Sequence, residues 1–527
     1  MCSGSTNGQP ASTPVSGARA VVDPNGLRGH AGTTGNRSLH GGCLLAFLPC
    51  GINPPSSVRL IHADSQGAHC VSSIKEYAVK SFYVIIALTA VFICSFDPAL
   101  SASFYVSPSG AGEECTQDSP CSLATGLSRP QPGDEVVLLD GTYSEPLIVQ
   151  RGGAPDLPVT VRAASKWAAV VRVPDGILGR VWASHVTLSG VTFDGAKTGG
   201  KQGGVRVGAG SEASLPEPVH DVILDSLQIH DVRASAISIT SGEHDVVIRH
   251  CLIERTGQQE FWGEAFYLGS KYYPAETVYN VDIYLNTVRG FTQNGLETKK
   301  HSHHVKVHDN YFYDQMLWSS YGGDPNAGNE GTITLDGHSN EAYSNKLWSN
   351  ECGIAVFVVE PEAGHKIYNN LIFAGTGRGD HAVRMKEWSK TWPSGQYPPS
   401  EVFNNTFFQL PSHAVGTLDP SILIVKNNIG LDLEGNLPSS ETVSELFRDP
   451  LAGDFRLAEG SPAIDRAEAT PYSVTDFRAQ EITGTCRDFG AFEFSADNIY
   501  FQKKMPGQKR APAAPGGLRT IEVGAGD

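Results

Sequence analysis

The amino-acid sequence predicts an all-β fold, a single-stranded right-handed parallel β-helix with disordered extensions at both ends. Three observations predict it. Short segments rich in β-branched and aromatic residues alternate between apolar and polar positions with a period of two. These segments recur along the chain at a regular interval, and an asparagine returns at the same place in successive units. Repeats built of short strands bury a continuous core only when they stack, which is typical of a β-solenoid.

The repeat is clearest in residues 279–314 and is marked by one corner of each unit. Asparagines align at this corner in steps of 24, 35, 25, 35 and 23 residues: Asn286, Asn310, Asn345, Asn370, Asn405 and Asn428. The same register continues backward through Cys251, Leu227 and Val191. Asparagine tolerates turn dihedrals and can hydrogen-bond to the asparagine of the next coil. We therefore expect a structural asparagine ladder and not a row of catalytic residues.

The repeat predicts a β-helix over residues 103–440 and leaves four other segments. Residues 1–79 and 499–527 have no periodicity and are expected to be disordered. Residues 441–498 are expected to cap the solenoid. Within residues 80–102, the apolar run at 82–96 suits either a signal peptide or an uncleaved signal anchor. Both alternatives place the β-helix outside the cytosol, either secreted or held at the membrane by this segment alone.

Charge and motifs restrict the possible partners. The chain carries 56 acidic and 40 basic residues, a formal net charge of −16, which argues against nucleic acid and anionic membranes as partners. A zinc-type cysteine pair, a GxGxxG motif and a P-loop are all missing from the sequence. An acidic substrate would therefore need a local basic patch or a bridging cation. We expect a monomer.

The first part of the β-helix carries a family resemblance. The sequence reads Tyr105-Val-Ser-Pro-Ser-Gly, then Pro132-Gly-Asp, then Gly141-Thr-Tyr. This pattern resembles the N-terminal cap of a large family of secreted parallel β-helix proteins related to pectate lyases. Between its parts, Cys115 and Cys121 lie in one short loop, and a local disulfide between them fits an oxidising compartment.

The end of the folded region strengthens the resemblance. Gly460-Ser-Pro-Ala-Ile-Asp and Asp488-Phe-Gly-Ala-Phe-Glu are similar to the closing module of secreted β-helix proteins, and its acidic residues are interpreted as structural. The resemblance implies the fold, but it is weak evidence for an activity because one fold hosts several chemistries. The motifs typical of polygalacturonases and of pectate lyases are not found in the sequence.

A candidate site follows from aligning the strand after each small-residue corner, since alternate residues of a strand point outward. The first outward column is predicted to hold Arg206, Ser238, Tyr267, Glu297, Thr334, Ala355 and Arg384. The second is predicted to hold Gly208, Thr240, Gly269, Lys299, Asp336, Phe357 and Lys386. Insertions at 255–278 and 313–330 flank these columns, so we expect a groove.

The residue types in this groove suit β-elimination on an acidic polysaccharide. That reaction needs a neutralised carboxylate, a base for the C5 proton and an acid for the leaving oxygen. We predict Lys299 as the base, Arg384 as the charge neutraliser and Tyr267 as an alternative acid or base. Glu297, Asp336 and Glu264 are predicted calcium ligands, because Ca²⁺ prefers oxygen donors. The predicted substrate-binding residues are Lys386, Trp388, Trp392, Trp262 and Arg206.

Other interpretations of the same residues stay open at this point. Glu297 and Lys299 could form an ordinary surface ion pair, and the aromatic residues could pack under a loop. The histidines His301, His303, His304 and His308 straddle a turn, which makes a metal centre there a minor alternative. A polysaccharide lyase is the favoured function. The alternatives are a non-catalytic polysaccharide-binding protein and a purely structural surface protein.

Overall fold

The computed structural model describes most of the repeat region. The described residues are 101–196, 203–210, 215–240, 242–257, 263–269, 277–315, 331–349, 355–360, 362–374, 381–385, 395–408, 421–438, 443–470, 475–479, 481 and 486–494. The predicted extensions and most of the predicted signal segment lie outside these ranges. Among the described residues, no helix is long and apolar enough to cross a membrane.

Three parallel sheets form the walls of the solenoid. Sheet A has twelve strands. In order they are β1 (Ser103–Val106), β2 (Glu135–Leu138), β5 (Val159–Ala163), β8 (Val186–Ser189), β11 (His220–Asp225), β14 (His244–Arg249), β17 (Tyr279–Tyr284), β20 (His303–His308), β23 (Glu341–Tyr343), β26 (Lys366–Tyr368), β29 (Ser400–Phe403) and β31 (Leu423–Lys426).

Sheets B and C complete each coil. Sheet B contains β3 (Gly141–Tyr143), β6 (Ala169–Val171), β9 (Thr192–Asp194), β12 (Gln228–His230), β15 (Leu252–Glu254), β18 (Thr287–Arg289), β21 (Tyr311–Tyr313), β24 (Lys346–Ser349), β27 (Leu371–Ala374) and β30 (Thr406–Phe408). Sheet C contains β4 (Leu147–Val149), β7 (Ile177–Val181), β10 (Gly203–Val207), β13 (Ile237–Ile239), β16 (Phe266–Leu268), β19 (Leu296–Thr298), β22 (Ile333–Leu335), β25 (Ala355–Val359) and β28 (His381–Met385).

The chain visits sheets A, B and C in turn, so each strand pairs with the strand one coil away. In β14, for example, Val246 and Ile248 point into the core, and the residues between them face outward. Inward residues of all three sheets build one continuous apolar core along the solenoid. The predicted right-handed parallel β-helix is therefore confirmed.

The corner between sheets A and B is built by the predicted asparagine ladder. Each ladder position follows a residue in the left-handed conformation, such as Asp309 (φ 56°) before Asn310. The Asn310 side chain accepts hydrogen bonds from the backbone N–H and the side-chain Nδ2 of Asn286, at 3.0 Å each. The same pattern repeats down the chain, and it extends beyond the predicted last member to Asn436.

The N-terminal end of the solenoid is closed by a short cap. Helix α1 (Leu123–Leu127) buries Leu123 and Leu127 against the first coils. Cys115 and Cys121, the predicted pair, form a disulfide just before this helix. The Tyr143 hydroxyl donates to the carbonyl oxygens of Val106 and Leu139, at 3.0 and 2.8 Å. These contacts fix the cap to β1, which is the edge strand of sheet A.

The C-terminal segment follows the solenoid with helix α2 (Val443–Leu446) and an antiparallel hairpin. The hairpin strands are β32 (Phe447–Asp449) and β33 (Asp454–Leu457), joined by a 3₁₀ turn at Pro450–Ala452. Its apolar residues form a second core with Leu371, Phe408 and Ile429 of the last coils. The segment therefore packs along the outer side of sheet B, whereas the sequence suggested only a cover for the open end.

Polar contacts tie this segment to the last three turns of the corner between sheets A and B. Asn369 donates to the Thr475 carbonyl oxygen at 2.8 Å and accepts from the Arg487 guanidinium. Asn404 and Asn427 donate to the carbonyl oxygens of Asp488 and Glu468, at 3.1 and 2.8 Å. We call Asn369, Asn404 and Asn427 the docking asparagines.

Replacing one ladder asparagine should destabilise the fold. Asn345 accepts from the N–H and Nδ2 of Asn310, at 3.1 Å each, and donates to the Val307 carbonyl oxygen at 2.8 Å. Asn345→Ala leaves these buried groups unsatisfied, at about 1–3 kcal/mol each. We expect the free energy of unfolding in urea to fall by at least about 3 kcal/mol. Gln396→Ala removes an exposed amide and should change it little. Equal stability of the two variants would contradict a stabilising ladder.

Removing the buried guanidinium of Arg487 should loosen the C-terminal segment. Burial lowers the pKa of Arg487, although the neighbouring carboxylates of Glu493 and Asp488 oppose this effect. Arg487→Met leaves buried acidic groups without their counter-charge, a change that costs about 3–5 kcal/mol. Limited proteolysis should then cut within residues 443–494 at lower temperature than in the parent. The exposed Arg466→Met is the matched control. Equal protection of the two variants would show that Arg487 does not hold the segment.

Candidate functional site

The outer face of sheet C carries the predicted columns. Strand pairing places Arg206, Ser238, Tyr267, Glu297 and Thr334 side by side on successive strands. In sequence, the residues that lengthen some repeats come directly before or after strands of this sheet. Arg384 continues this row through Val358, so six of the seven predicted members of the first column lie in the predicted register.

One strand departs from the prediction. Val358 pairs with Thr334 and Arg384, so it takes the place predicted for Ala355. Phe357, predicted to face outward, is fully buried between Ile333 and Val383. The prediction was wrong here because residues 355–359 are apolar at every position and give no alternation to set the phase. Burial of the large phenylalanine ring sets it instead.

The second column continues just beyond the ends of the strands. Lys299 donates its backbone N–H to the Leu268 carbonyl oxygen, and Asp336 donates its own to the Thr298 hydroxyl. Glu360 then donates its backbone N–H to the Leu335 carbonyl oxygen. Glu360 therefore takes the place predicted for Phe357, and its side chain is buried. Sequence reasoning missed it, although Glu360-Pro-Glu362 after an apolar run could have marked the end of the strand.

Lys299 lies at the centre of the site. Its ammonium forms an ion pair with Glu297, and the two side chains are only 12% and 2% exposed. The same nitrogen lies 5.0 Å from the centre of the Tyr267 ring. The pair is therefore withdrawn from solvent, where its attraction is stronger but its desolvation is costly. An exposed surface ion pair, the alternative left open by the sequence, does not describe this burial.

Several carboxylates on the coils around sheet C are buried. Glu264 is fully buried and accepts a hydrogen bond of 2.7 Å from the Ser235 hydroxyl. Asp336 is buried one strand from Lys299. Glu243, which sequence reasoning missed, is buried against Gly208, where a Cβ atom would collide with its carboxylate. Glu297, Asp336 and Glu360 therefore lie on or just after the neighbouring strands β19, β22 and β25, and Lys299 follows β19.

The two predicted basic residues at the ends of the column lie far from this centre. Arg384 is three strands from Glu297 in one direction, and Arg206 is three strands away in the other. At about 4.8 Å per strand, each is roughly 14 Å from the centre. The structure therefore does not bring Arg384 next to Lys299. Lys386, Trp388, Trp392 and Trp262 lie outside the described residues.

The predicted calcium ligands share the face but do not converge. Among the described residues, two groups offer three ligand atoms within 4.8 Å of one another. One is His185, His220 and Asp221, and the other is Asp194, His230 and Asp231. Glu264, Glu297 and Asp336 belong to neither group. Their oxygen donors match the chemistry of calcium, but in this arrangement Glu297 holds Lys299.

The histidines after Lys299 are part of a column of stacked rings. His303 stacks between Tyr279 and His338, with ring centres 5.1 and 4.8 Å away. Burial, helped by the nearby histidines, lowers the pKa of His338 to about 4. Burial opposes the protonation of His308, but hydrogen bonds to Asp282 and Asp309 outweigh it and raise its pKa. His303 and His338 thus belong to the ring stack, whereas His308 pairs with two carboxylates.

Comparisons with known proteins agree on the fold. No family model and no curated protein matches the chain. Among solved structures, pectate lyase Pel9A is 14% identical and superposes with a TM-score of 0.50, covering 75% of this chain and 97% of its own. An alginate lyase from Paenibacillus is 17% identical with a TM-score of 0.44, covering 62% and 97%. A lacto-N-biosidase from Eubacterium ramulus is 15% identical with a TM-score of 0.48, covering 62% and 66%. At such identities, the likeness establishes the parallel β-helix alone.

Proposed function

We propose that the chain is an extracellular carbohydrate-active enzyme, a polysaccharide lyase that cleaves an acidic polyuronide by β-elimination. The observation that carries the proposal is the buried ion pair of Lys299 and Glu297 beside Tyr267, on the outer face of sheet C. A solenoid surface that serves only as a scaffold gains nothing from burying an ammonium among carboxylates, because burial of charge is costly.

In the proposed reaction, Lys299, Tyr267 and Glu297 each have a role in proton transfer. Lys299 takes the C5 proton of the uronide, the C4–O bond breaks, and a C4=C5 double bond forms. Tyr267 gives its hydroxyl proton to the leaving oxygen. Lys299 can act as a base only when the proton of the ion pair rests on Glu297, which leaves the amine neutral. Glu297 thus sets the protonation state of the base.

Arg384 receives a different role from the one that the sequence suggested, and Arg206 keeps its predicted role in substrate binding. At roughly 14 Å from the centre, Arg384 cannot neutralise the uronide whose proton Lys299 takes. Arg384 and Arg206 lie at opposite ends of the column, so we propose that each binds the carboxylate of an outlying sugar. The outer face of sheet C would then hold a chain of several uronides along the solenoid axis.

Calcium is part of the proposal as the ion that lets an acidic polymer approach an acidic face. Glu264 and Asp336 would supply oxygen donors of the kind that calcium prefers, whereas Glu297 is engaged with Lys299. The bound ion would neutralise a substrate carboxylate. Since these carboxylates do not converge on one point, no step of the reaction is routed through the ion.

A second candidate function is glycoside hydrolysis. Hydrolysis needs two carboxyl groups on either side of the scissile bond, and Glu297, Asp336 and Glu360 are buried on or just after neighbouring strands of sheet C. The products distinguish the two reactions, because only elimination creates an unsaturated sugar that absorbs ultraviolet light. Retention of a polymer without any cleavage would favour a binding protein instead.

The first test follows the unsaturated product by ultraviolet absorbance over a panel of polyuronides. We expect the parent to produce absorbance with at least one polymer and Lys299→Ala to lose about 100-fold or more, the usual contribution of a general base. Lys306→Ala removes an exposed lysine on β20 of sheet A and should retain full activity. Elimination that survives Lys299→Ala would refute the assigned base. New reducing ends without absorbance would establish hydrolysis.

The second test removes divalent cations from the active enzyme. Exhaustive chelation should abolish elimination, and added Ca²⁺ should restore it, because the substrate carboxylate is otherwise repelled by the acidic face. Glu264→Gln should raise the Ca²⁺ concentration required for half-maximal rate. Glu401→Gln, on the outer face of sheet A, is the control. Unchanged elimination after chelation would remove calcium from the proposal and leave the lyase assignment intact.

A further inference from the structure

We propose that His185, His220 and Asp221 form a binding site for a divalent transition-metal ion of the Zn²⁺ class. The three residues lie where the chain enters sheet A from sheet C, on the coils of β8 and β11. Their ligand atoms all lie within 4.8 Å of one another. This site is separate from the proposed catalytic residues, with Tyr267 on β16 and Glu297 on β19 of sheet C in later coils.

The distances suit a single small ion. The Asp221 carboxylate lies 2.7 Å from Nδ1 of His220 and 3.5 Å from Nδ1 of His185. Zn²⁺ binds imidazole nitrogen and carboxylate oxygen at about 2.0–2.2 Å, so tetrahedral ligands lie roughly 3.3 Å apart. The His185 and His220 rings are perpendicular, with centres 5.1 Å apart, so their nitrogen atoms approach the carboxylate from different directions. Small side-chain rotations would therefore place all three ligands around one ion.

The backbone holds these residues in place before any ion binds. The His185 N–H donates to the His220 carbonyl oxygen at 3.1 Å, and the His220 N–H donates to the Ser184 hydroxyl at 3.0 Å. His185 and Asp221 are both in the left-handed conformation, with φ of 56° and 53°. Parallel strand pairing continues directly from them at Val186 and Val222. The site is thus attached to a rigid element, which lowers the cost of ordering it.

The second group of three ligands differs because arginines already neutralise its carboxylates. In Asp194, His230 and Asp231, both carboxylates are already paired with arginines. Arg172 Nε lies 3.0 Å from Asp194, and Arg255 makes two contacts of 2.8 Å with Asp231. These arginines supply the positive charge that an ion would bring. Within the described residues, Asp221 contacts no arginine or lysine, so its charge remains available to a metal.

The ligand set also selects the kind of ion. Imidazole nitrogen favours Zn²⁺, Cu²⁺ and Ni²⁺ over Ca²⁺ and Mg²⁺, which prefer oxygen. Three protein ligands leave one tetrahedral position for water. Asp221 is 52% exposed, so an ion could enter from solvent without any opening of the fold. The site would bind a metal beside the sugar-cleaving face without taking part in the elimination.

The test is calorimetric titration of the full chain with Zn²⁺. We expect the parent to bind one equivalent that His185→Asn and Asp221→Asn lose or bind at least about tenfold more weakly, since loss of even a second-shell partner costs about 10–100-fold. Asparagine adopts the left-handed conformation readily, so both variants should keep the fold. Their thermal unfolding in the absence of metal should match that of the parent.

His250→Asn is the matched control. His250 also has a left-handed conformation (φ 55°) and lies 2.9 Å from a carboxylate, that of Asp225, but it belongs to no three-ligand group. We expect this variant to keep the Zn²⁺ equivalent. The proposal is overturned if the parent binds no equivalent that the two site variants lack, or if His250→Asn loses it as they do.

Discussion

The hydrogen bonds of the asparagine ladder are the constraint on which the rest of the structure depends. Each side-chain oxygen receives two N–H groups from the preceding coil, so a coil can stack in one register only. Repeats of different length still align, because the additional residues come between strands in the sequence, before or after a strand of sheet C. The ladder therefore lets loops around the candidate site vary while the side chains on sheet C remain in columns.

The same register explains the charge pattern of the candidate site. Stacking fixes neighbouring outward residues at about 4.8 Å, so acids on successive strands cannot move apart as surface side chains can. Lys299 relieves part of this repulsion through its ion pair with Glu297. Arg206 and Arg384 are held three strands away by the same stacking, which separates the centre of the site from its ends.

The sequence was sufficient for features set by the spacing of residues along the chain and insufficient for features set by packing between coils. The ladder positions, the disulfide pair and the contact of Glu297 with Lys299 could be predicted because each follows from a local spacing. The orientation of Phe357 and the burial of Glu360 could not, because an apolar strand has no phase until its neighbours pack against it. Burial of Glu243 and the approach of His185 to Asp221 depend on contacts between separate coils, which no local pattern records.

The docking asparagines give the molecule an order of assembly. During synthesis, coils emerge one after another, and each can stack on the coil before it. However, the hydrogen-bond partner of Asn369 is Thr475, 106 residues later in the chain, and that of Asn404 is Asp488, 84 residues later. The coils nearest the C-terminal segment are therefore secured last, after the segment has left the ribosome. Until then the apolar outer side of sheet B at Leu371 and Phe408 is uncovered, so this end of the solenoid exposes apolar surface for longest during synthesis.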